Sequence, residues 1–187
     1  MYSKYLIFDF ETTGIGDFSK QRAIQLAWIM TDINFNILDE KVYYIKGIEK
    51  INTNFHKNIT IDLLEKSGLH LKYVIIYFLN KIHEIINNNG KIISHNISFD
   101  VNILNNEMRN LGMNYLDLSK YTYCTKKNTV NLCKILMKNK NYFKYPKLSE
   151  LYYFLFKKKP VLELHDAMND TKILYECCKE LKKLSFL

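Results

Sequence analysis

The chain reads as an α/β fold with one mixed sheet and helices packed on it, and three observations predict this. Segments of strand character come first, at Lys4–Phe10, about Arg22–Thr31 and about Ile37–Lys46, and helical and strand segments alternate afterwards. A length of 187 residues with 48% hydrophobic and 14% aromatic content suits one domain with a sizeable core. Neither a repeat nor a low-complexity linker interrupts it, so residues 1–187 are read as a single domain.

The first strand places Tyr5, Ile7, Asp9 and Glu11 on one face and Leu6, Phe8 and Phe10 on the other, because side chains alternate along a strand. A short turn at Asp32–Asn36 reads as a hairpin between the second and third strands. After a polar loop, Ile48–Asn58, a short helix Ile61–Ser67 is predicted, capped by Thr60 and ended by Gly68. Val74, Phe78, Ile82 and Ile85 recur at helical spacing in Leu71–Ile86, which stops at Asn87-Asn88-Asn89-Gly90. Lys91–Ser94 is a short buried strand, Ser98–Leu111 a helix ending at Gly112, and Tyr121–Cys124 a further strand. Helices near Thr129–Lys138, Leu148–Phe156 and Ala167–Leu184 complete the chain.

Acids on apolar faces carry the chemical signal. Asp9 and Glu11 close an apolar strand roughly 7 Å apart, near enough to touch one cation or a close pair. Two like charges buried there require something positive between them. Asp100 shares its helix face with Ile103, Leu104, Glu107, Met108 and Leu111, and Asp170 falls in phase with Ala167, Leu174, Cys177, Cys178 and Leu181. An acid in a first turn also favours the helix dipole. Four such acids from three segments exceed what surface solvation or dipoles explain. His165 stands five residues before Asp170, free to aim its ring at whatever Asp170 binds. Oxygen ligands without cysteine suit Mg²⁺ or Mn²⁺. Two such ions stabilise an in-line phosphoryl displacement, and an imidazole titrating near 6.5 takes a proton from the attacking water. Metal-assisted phosphodiester hydrolysis is the chemistry expected.

The bulk numbers narrow the partners. The net charge of +8 divides into −1 over residues 1–119 and +9 over residues 120–187, which points to a polyanion met by the C-terminal third. Lys126, Lys127, Lys138, Lys140, Lys144 and Lys157–Lys159 lie there with Tyr142, Phe143 and Tyr145 among them, the composition of a stacking platform or of a solvated lysine face over core aromatics. No apolar run reaches the ~20 residues of a bilayer span. The beginning of the chain shows no cleavable secretory pattern. Cys124, Cys133, Cys177 and Cys178 lack zinc-site spacing, and the adjacent pair suits no local disulfide, so buried thiols in an intracellular, reducing compartment are expected.

The motifs resemble those of DEDDh-type 3′–5′ exonucleases of the DnaQ-like superfamily. The first is Phe8-Asp9-Phe10-Glu11-Thr12-Thr13-Gly14, the second Ser94-His95-Asn96-Ile97-Ser98-Phe99-Asp100, and the third His165-Asp166-Ala167-Met168-Asn169-Asp170. Ile24-Gln25-Leu26-Ala27, His56-Lys57-Asn58-Ile59-Thr60 and Lys147-Leu148-Ser149-Glu150-Leu151 are weaker echoes between them. Histidine five residues before the last Asp, in place of tyrosine four before it, selects the histidine subtype. The resemblance implies a ribonuclease-H-like fold with a five-stranded mixed sheet flanked by helices. It implies that Asp9, Glu11, Asp100 and Asp170 bind two divalent ions, Mg²⁺ or Mn²⁺, with His165 as general base. It further implies that Thr12, Thr13 and Gly14 lie against the 3′-terminal nucleotide and that Asn96 and Phe99 shape its pocket. Asp166, beside the base, is expected to cap the last helix. The substrate expected is DNA with a free, single-stranded or frayed 3′ end. RNA is the alternative, and a polymerase or a second copy of the chain is an alternative partner.

Overall fold

The computed structural model describes residues 4–14, 20–52 and 58–187, so His56 and Lys57 of the quoted loop lie outside the described residues. Strands β1 (Lys4–Thr12), β2 (Ala23–Asp32), β3 (Ile37–Tyr44), β4 (Lys91–Ser94) and β5 (Thr122–Cys124) form one sheet in the order β3-β2-β1-β4-β5. β2 pairs antiparallel with both β1 and β3, whereas β4 runs parallel to β1 and β5 parallel to β4. This is the mixed five-stranded, helix-flanked sheet of the ribonuclease-H-like fold.

Helix α1 spans Ile61–Ser67, α2 Leu71–Asn87, α3 Ile97–Asn110, α4 Thr125–Asn128, α5 Val130–Cys133, α6 Leu148–Phe156 and α7 Ala167–Lys183. The alternation of β1 appears directly in the two cores. Leu6, Phe8 and Phe10 pack with Trp28 against Phe78 and Ile82 of α2 and Leu104 of α3. Tyr5 and Ile7 face the other way, against Leu174 and Cys178 of α7. Asp9 and Glu11 continue that second row, which brings them to the α7 side. Cys177 packs with Leu151 and Tyr152 of α6, so adjacent cysteines serve two different contacts.

Local chemistry accounts for the ends of these elements. Thr60 caps α1 by accepting the Leu63 N–H at 3.1 Å. Gly68 ends that helix for a steric reason and not through a left-handed turn, since a Cβ there would lie 2.3 Å from Leu64 O. Gly90 likewise lets the start of β4 slide beside β1, where a Cβ would meet Lys4 O at 2.2 Å. The helix expected at Thr129–Lys138 is not continuous. Lys134 takes a left-handed backbone (φ 49°) that ends α5, and the chain doubles back through a bridge between Leu136 and Phe143.

Candidate active site

In a sheet with parallel strands, the crevice beyond the strands' carboxyl ends is where helices and loops leave open space. β1 and β4 end at that edge, and the acids gather there. Asp9 lies opposite Ala27 and Glu11 opposite Gln25 in the antiparallel register, with a bulge between Glu11 and Thr12 that re-aims the chain after the second acid.

Asp100 enters from the first turn of α3 and is only 2% exposed. The Phe10 N–H donates to its Oδ1 at 3.3 Å, and the buried Ser94 hydroxyl, at the end of β4, donates to its Oδ2. Asn96 before α3 adopts a left-handed backbone (φ 111°), and its carbonyl accepts the Phe99 N–H at 2.7 Å. Phe99 is half-buried against the main core. Asp170 comes from the first turn of α7, and its Oδ2 accepts the His165 N–H at 3.4 Å. His165 is exposed and held at φ 70°, an uncommon conformation for a residue other than glycine and one that clusters at functional sites. Glu11, His165 and Asp170 each present a donor atom, and these atoms lie within 4.8 Å of one another.

The segment after β1 is held on both sides. Thr13 N–H donates to Arg22 O at 2.9 Å, Thr13 Oγ1 accepts the Arg22 N–H at 3.1 Å, and Asn52 N–H donates to Thr13 O at 3.0 Å. Thr12 is buried, its hydroxyl donating to Gly14 O at 2.8 Å. A Cβ on Gly14 would make only an ordinary 3.7 Å contact with Asn52 among the described residues, so packing inside the chain does not demand glycine there. A basic recess of about 650 Å³, lined in part by Lys20, Arg22 and Lys50, opens beside Thr13.

The electrostatics are those of crowded acids. Burial raises the Asp9 carboxyl well above its ordinary range, and Asp100, Asp170, Glu11 and Asp166 add repulsion. Burial lifts Glu11 to about 8, with Asp170, Asp166 and Asp100 adding to it. Asp100 is pushed up to about 7 by burial, against the opposing hydrogen bonds from Ser94 and Phe10. Asp170 reaches about 7 for the same first reason, opposed by the His165 N–H. Among the described residues its Oδ1 is buried with no hydrogen-bond partner. An orphaned carboxylate oxygen, a hard oxygen donor set and mutual repulsion all fit a divalent cation.

Two other polar groups at this edge have structural explanations. The His95 ring bridges Pro146 O (3.0 Å, Nε2) and Thr125 Oγ1 (2.9 Å, Nδ1). The carbonyl can only accept, so Nε2 carries the proton, and burial holds the ring neutral by lowering its pKa to about 4. Asp166 caps α7 as expected, accepting the Met168 and Asn169 N–H groups at 3.1 and 3.0 Å. Two residues of the motifs acquire contacts that the sequence left unassigned. Ser94 braces Asp100, and buried Gln25 joins β2 to Asp166 and to Ala167 N–H, each at 2.9 Å.

Residues 6–178 match the profile of the RNase T exonuclease family. No curated protein matches the chain. Among solved structures, exonuclease I is similar at a TM-score of 0.74 and 19% identity, over 97% of this chain and 41% of that one. Escherichia coli exonuclease I in complex with a dA16 oligonucleotide gives 0.71 and 19%, again covering 97% and 41%. A 3′-exonuclease with 3′-end specific recognition of a histone mRNA stem-loop gives 0.70 and 14%, covering 96% and 63%. The chain thus spans about two fifths of the length of exonuclease I. No helix among the described residues is long and apolar enough to cross a membrane. The family match over most of the chain, on this sheet and with motifs that resemble the DEDDh type, shows that the chain belongs to the RNase T exonuclease family.

Proposed function

We propose that the chain is a metal-dependent exonuclease that hydrolyses phosphodiester bonds from the 3′ end of DNA. It prefers single-stranded or frayed ends and releases nucleoside 5′-monophosphates. The observation that carries this reading is the convergence of Glu11, His165 and Asp170 donor atoms within 4.8 Å, beside half-buried Asp9 and buried Asp100. Asp9, Glu11, Asp100 and Asp170 would hold two Mg²⁺ or Mn²⁺ ions. Such ions, when bound, supply Lewis-acid stabilisation of phosphoryl oxygens and a water of lowered pKa.

The chain's own residues do the rest. The His165 ring takes the proton from the attacking water and, being exposed, passes it to solvent. Oxygen adds to phosphorus, the bond to the preceding 3′ oxygen breaks, that oxygen takes up a proton from solvent, and the shortened strand leaves with a 3′ hydroxyl. The braced Thr12–Gly14 backbone and the Asn96–Phe99 turn line the seat of the terminal nucleotide, and a glycine at 14 allows a ligand to approach the main chain closely. In this reading residues 1–187 act as a single exonuclease domain, and its four buried free thiols support a reducing compartment.

Trimming of RNA is the second reading, favoured by the likeness to a 3′-exonuclease that recognises an mRNA stem-loop. Service as a proofreading subunit on a polymerase is a further alternative. One assay tests the main reading: 5′-labelled DNA and RNA, single- and double-stranded, with free or blocked 3′ ends, in Mg²⁺ or Mn²⁺. A ladder confined to free 3′ ends of single-stranded DNA is expected, and His165→Ala should slow it by roughly 10²–10⁴-fold. Cleavage of blocked ends, or full activity of Asp100→Ala, would sink the reading.

A further inference from the structure

Helix α6 buries Leu151 and Tyr152 against α7 and leaves Tyr153 56% exposed on its opposite side. Lys157 then takes a left-handed backbone (φ 56°), its N–H capping the helix on Tyr153 O at 2.8 Å. Residues of the following segment and of the helix together line an open cavity of about 600 Å³. Its walls are mainly apolar, with Tyr153, Phe154, Pro160 and Leu164 among them, and Lys157 and Lys159 stand at its rim. The one acid lining it, Glu150, is engaged by the Lys144 side chain and the Lys147 N–H, so the rim presents net positive charge. Lys157 Nζ lies 4.6 Å from the centre of the Phe154 ring.

An open aromatic face with cations beside it matches a nucleobase and its flanking phosphates, and an apolar ligand has no use for the lysines. Leu164 lines the cavity and His165 follows it directly, so the wall of one space runs into the reaction centre of the other. We propose that this cavity is a subsite for single-stranded nucleic acid, taking a base that lies 5′ of the terminal nucleotide while Lys157 and Lys159 contact the backbone. The proposal rests on the exonuclease reading and adds to it a second place where the strand is gripped. Bases stack on any aromatic face, so the subsite is indifferent to sequence.

The test is fluorescence anisotropy with 5′-fluorescein dT₃ and dT₁₂ in EDTA, where turnover is absent, with hydrolysis in Mg²⁺ measured separately. Tyr153→Leu keeps the cavity apolar but removes the ring. It should cut the preference for the longer strand by about tenfold, and Tyr153→Phe should restore it. Lys157→Ala with Lys159→Ala should reduce the slope of log K against log salt by about 1.4, at ~0.7 per phosphate contact on a single strand. Wild-type preference and salt slope in these variants, with normal hydrolysis, would overturn the subsite and leave the exonuclease reading standing. If neither oligonucleotide binds and no 3′ end is hydrolysed, both readings fall. A dimer on sizing that Tyr153→Leu abolishes, with strand binding untouched, would instead assign the face to a second copy of the chain.

Discussion

The backbone N–H of Phe10 donates to Asp100 Oδ1 at 3.3 Å, so the strand segment between Asp9 and Glu11 is bonded directly to the carboxylate that α3 delivers. The second oxygen of Asp100 takes the Ser94 hydroxyl. Both donors come from strand ends, one from β1 and one from β4, so sheet pairing sets where Asp100 stands. Ser94→Ala leaves a buried carboxylate oxygen without its donor. It should destabilise the fold by about 1–3 kcal/mol. It should also raise the Asp100 carboxyl further, because the Ser94 hydrogen bond opposes burial there. Urea unfolding measures the first effect and the pH profile of hydrolysis the second. An unchanged midpoint would show that the hydroxyl is idle.

Glu107 is the informative contrast to Asp100. Both lie on the same face of α3, at 0% and 2% exposure. Glu107 receives Arg22 Nε at 3.0 Å, the Ala23 N–H at 2.7 Å and Asn110 Nδ2 at 3.1 Å, a cation and two neutral donors. It is a structural anchor that ties α3 to the start of β2. Arg22→Ala removes the counter-charge of a buried acid, which costs roughly 3–5 kcal/mol in a fully buried pair. The Arg22 side chain is 40% exposed, so about 2 kcal/mol is expected here. Arg22→Ala with Glu107→Gln should recover part of that loss in the same unfolding experiment. No recovery would mean that the pair is not coupled.

These cases show what sequence reasoning reaches. Alternation along Lys4–Phe10 and helical spacing around Asp100 and Asp170 made the acids legible, because each pattern is local and the side-chain direction follows from it. Glu107 and Asp100 were indistinguishable by periodicity, since the partner that separates them, Arg22, lies 85 residues away from Glu107 in the chain. Ser94 and Gln25 were legible only as motif letters for the same reason. The Thr129–Lys138 helix failed where Lys134 turned left-handed, a choice made by the returning Leu136–Phe143 bridge and not by local propensity.

Removing the cation should make stability depend on pH in a defined direction. In the unfolded chain, aspartate and glutamate titrate near 4. In the folded, cation-free protein Glu11 titrates at about 8, Asp100 and Asp170 at about 7, and Asp9 well above its ordinary range. Between those values the folded state binds more protons than the unfolded one, so stability falls as pH rises. The contribution is complete below about pH 4, is lost progressively as pH rises through about 7 and 8, and is exhausted only above that. Thermal melts in EDTA should therefore show Tm dropping from about pH 6 to about pH 8, and millimolar Mg²⁺ should raise Tm most at the upper end. A Tm that climbs with pH in EDTA would contradict the assignment of these acids to one crowded site.

Gln25 is the residue whose replacement should separate positioning from chemistry. It lies opposite Glu11 in the sheet register. Its Nε2 donates to Asp166 Oδ2 and its Oε1 accepts the Ala167 N–H, while the other Asp166 oxygen caps two more N–H groups of α7. The first turn of α7, with Asp170, and His165 just before it, is thereby fixed relative to the strand that carries Glu11. Gln25→Glu sets a carboxylate against Asp166, so the latch opens. A displacement of about 1 Å at reacting groups costs on the order of 10²-fold in rate, and kcat should fall far more than KM rises. Gln25→Glu combined with Asp166→Asn reverses the polarity of the latch. The amide introduced at position 166 then donates to the carboxylate at position 25, that carboxylate still accepts the Ala167 N–H, and asparagine caps helices as well as aspartate does. Recovery of kcat in the double variant is expected. A double variant as slow as Gln25→Glu would mean that the residue at position 25 acts through something other than the start of α7.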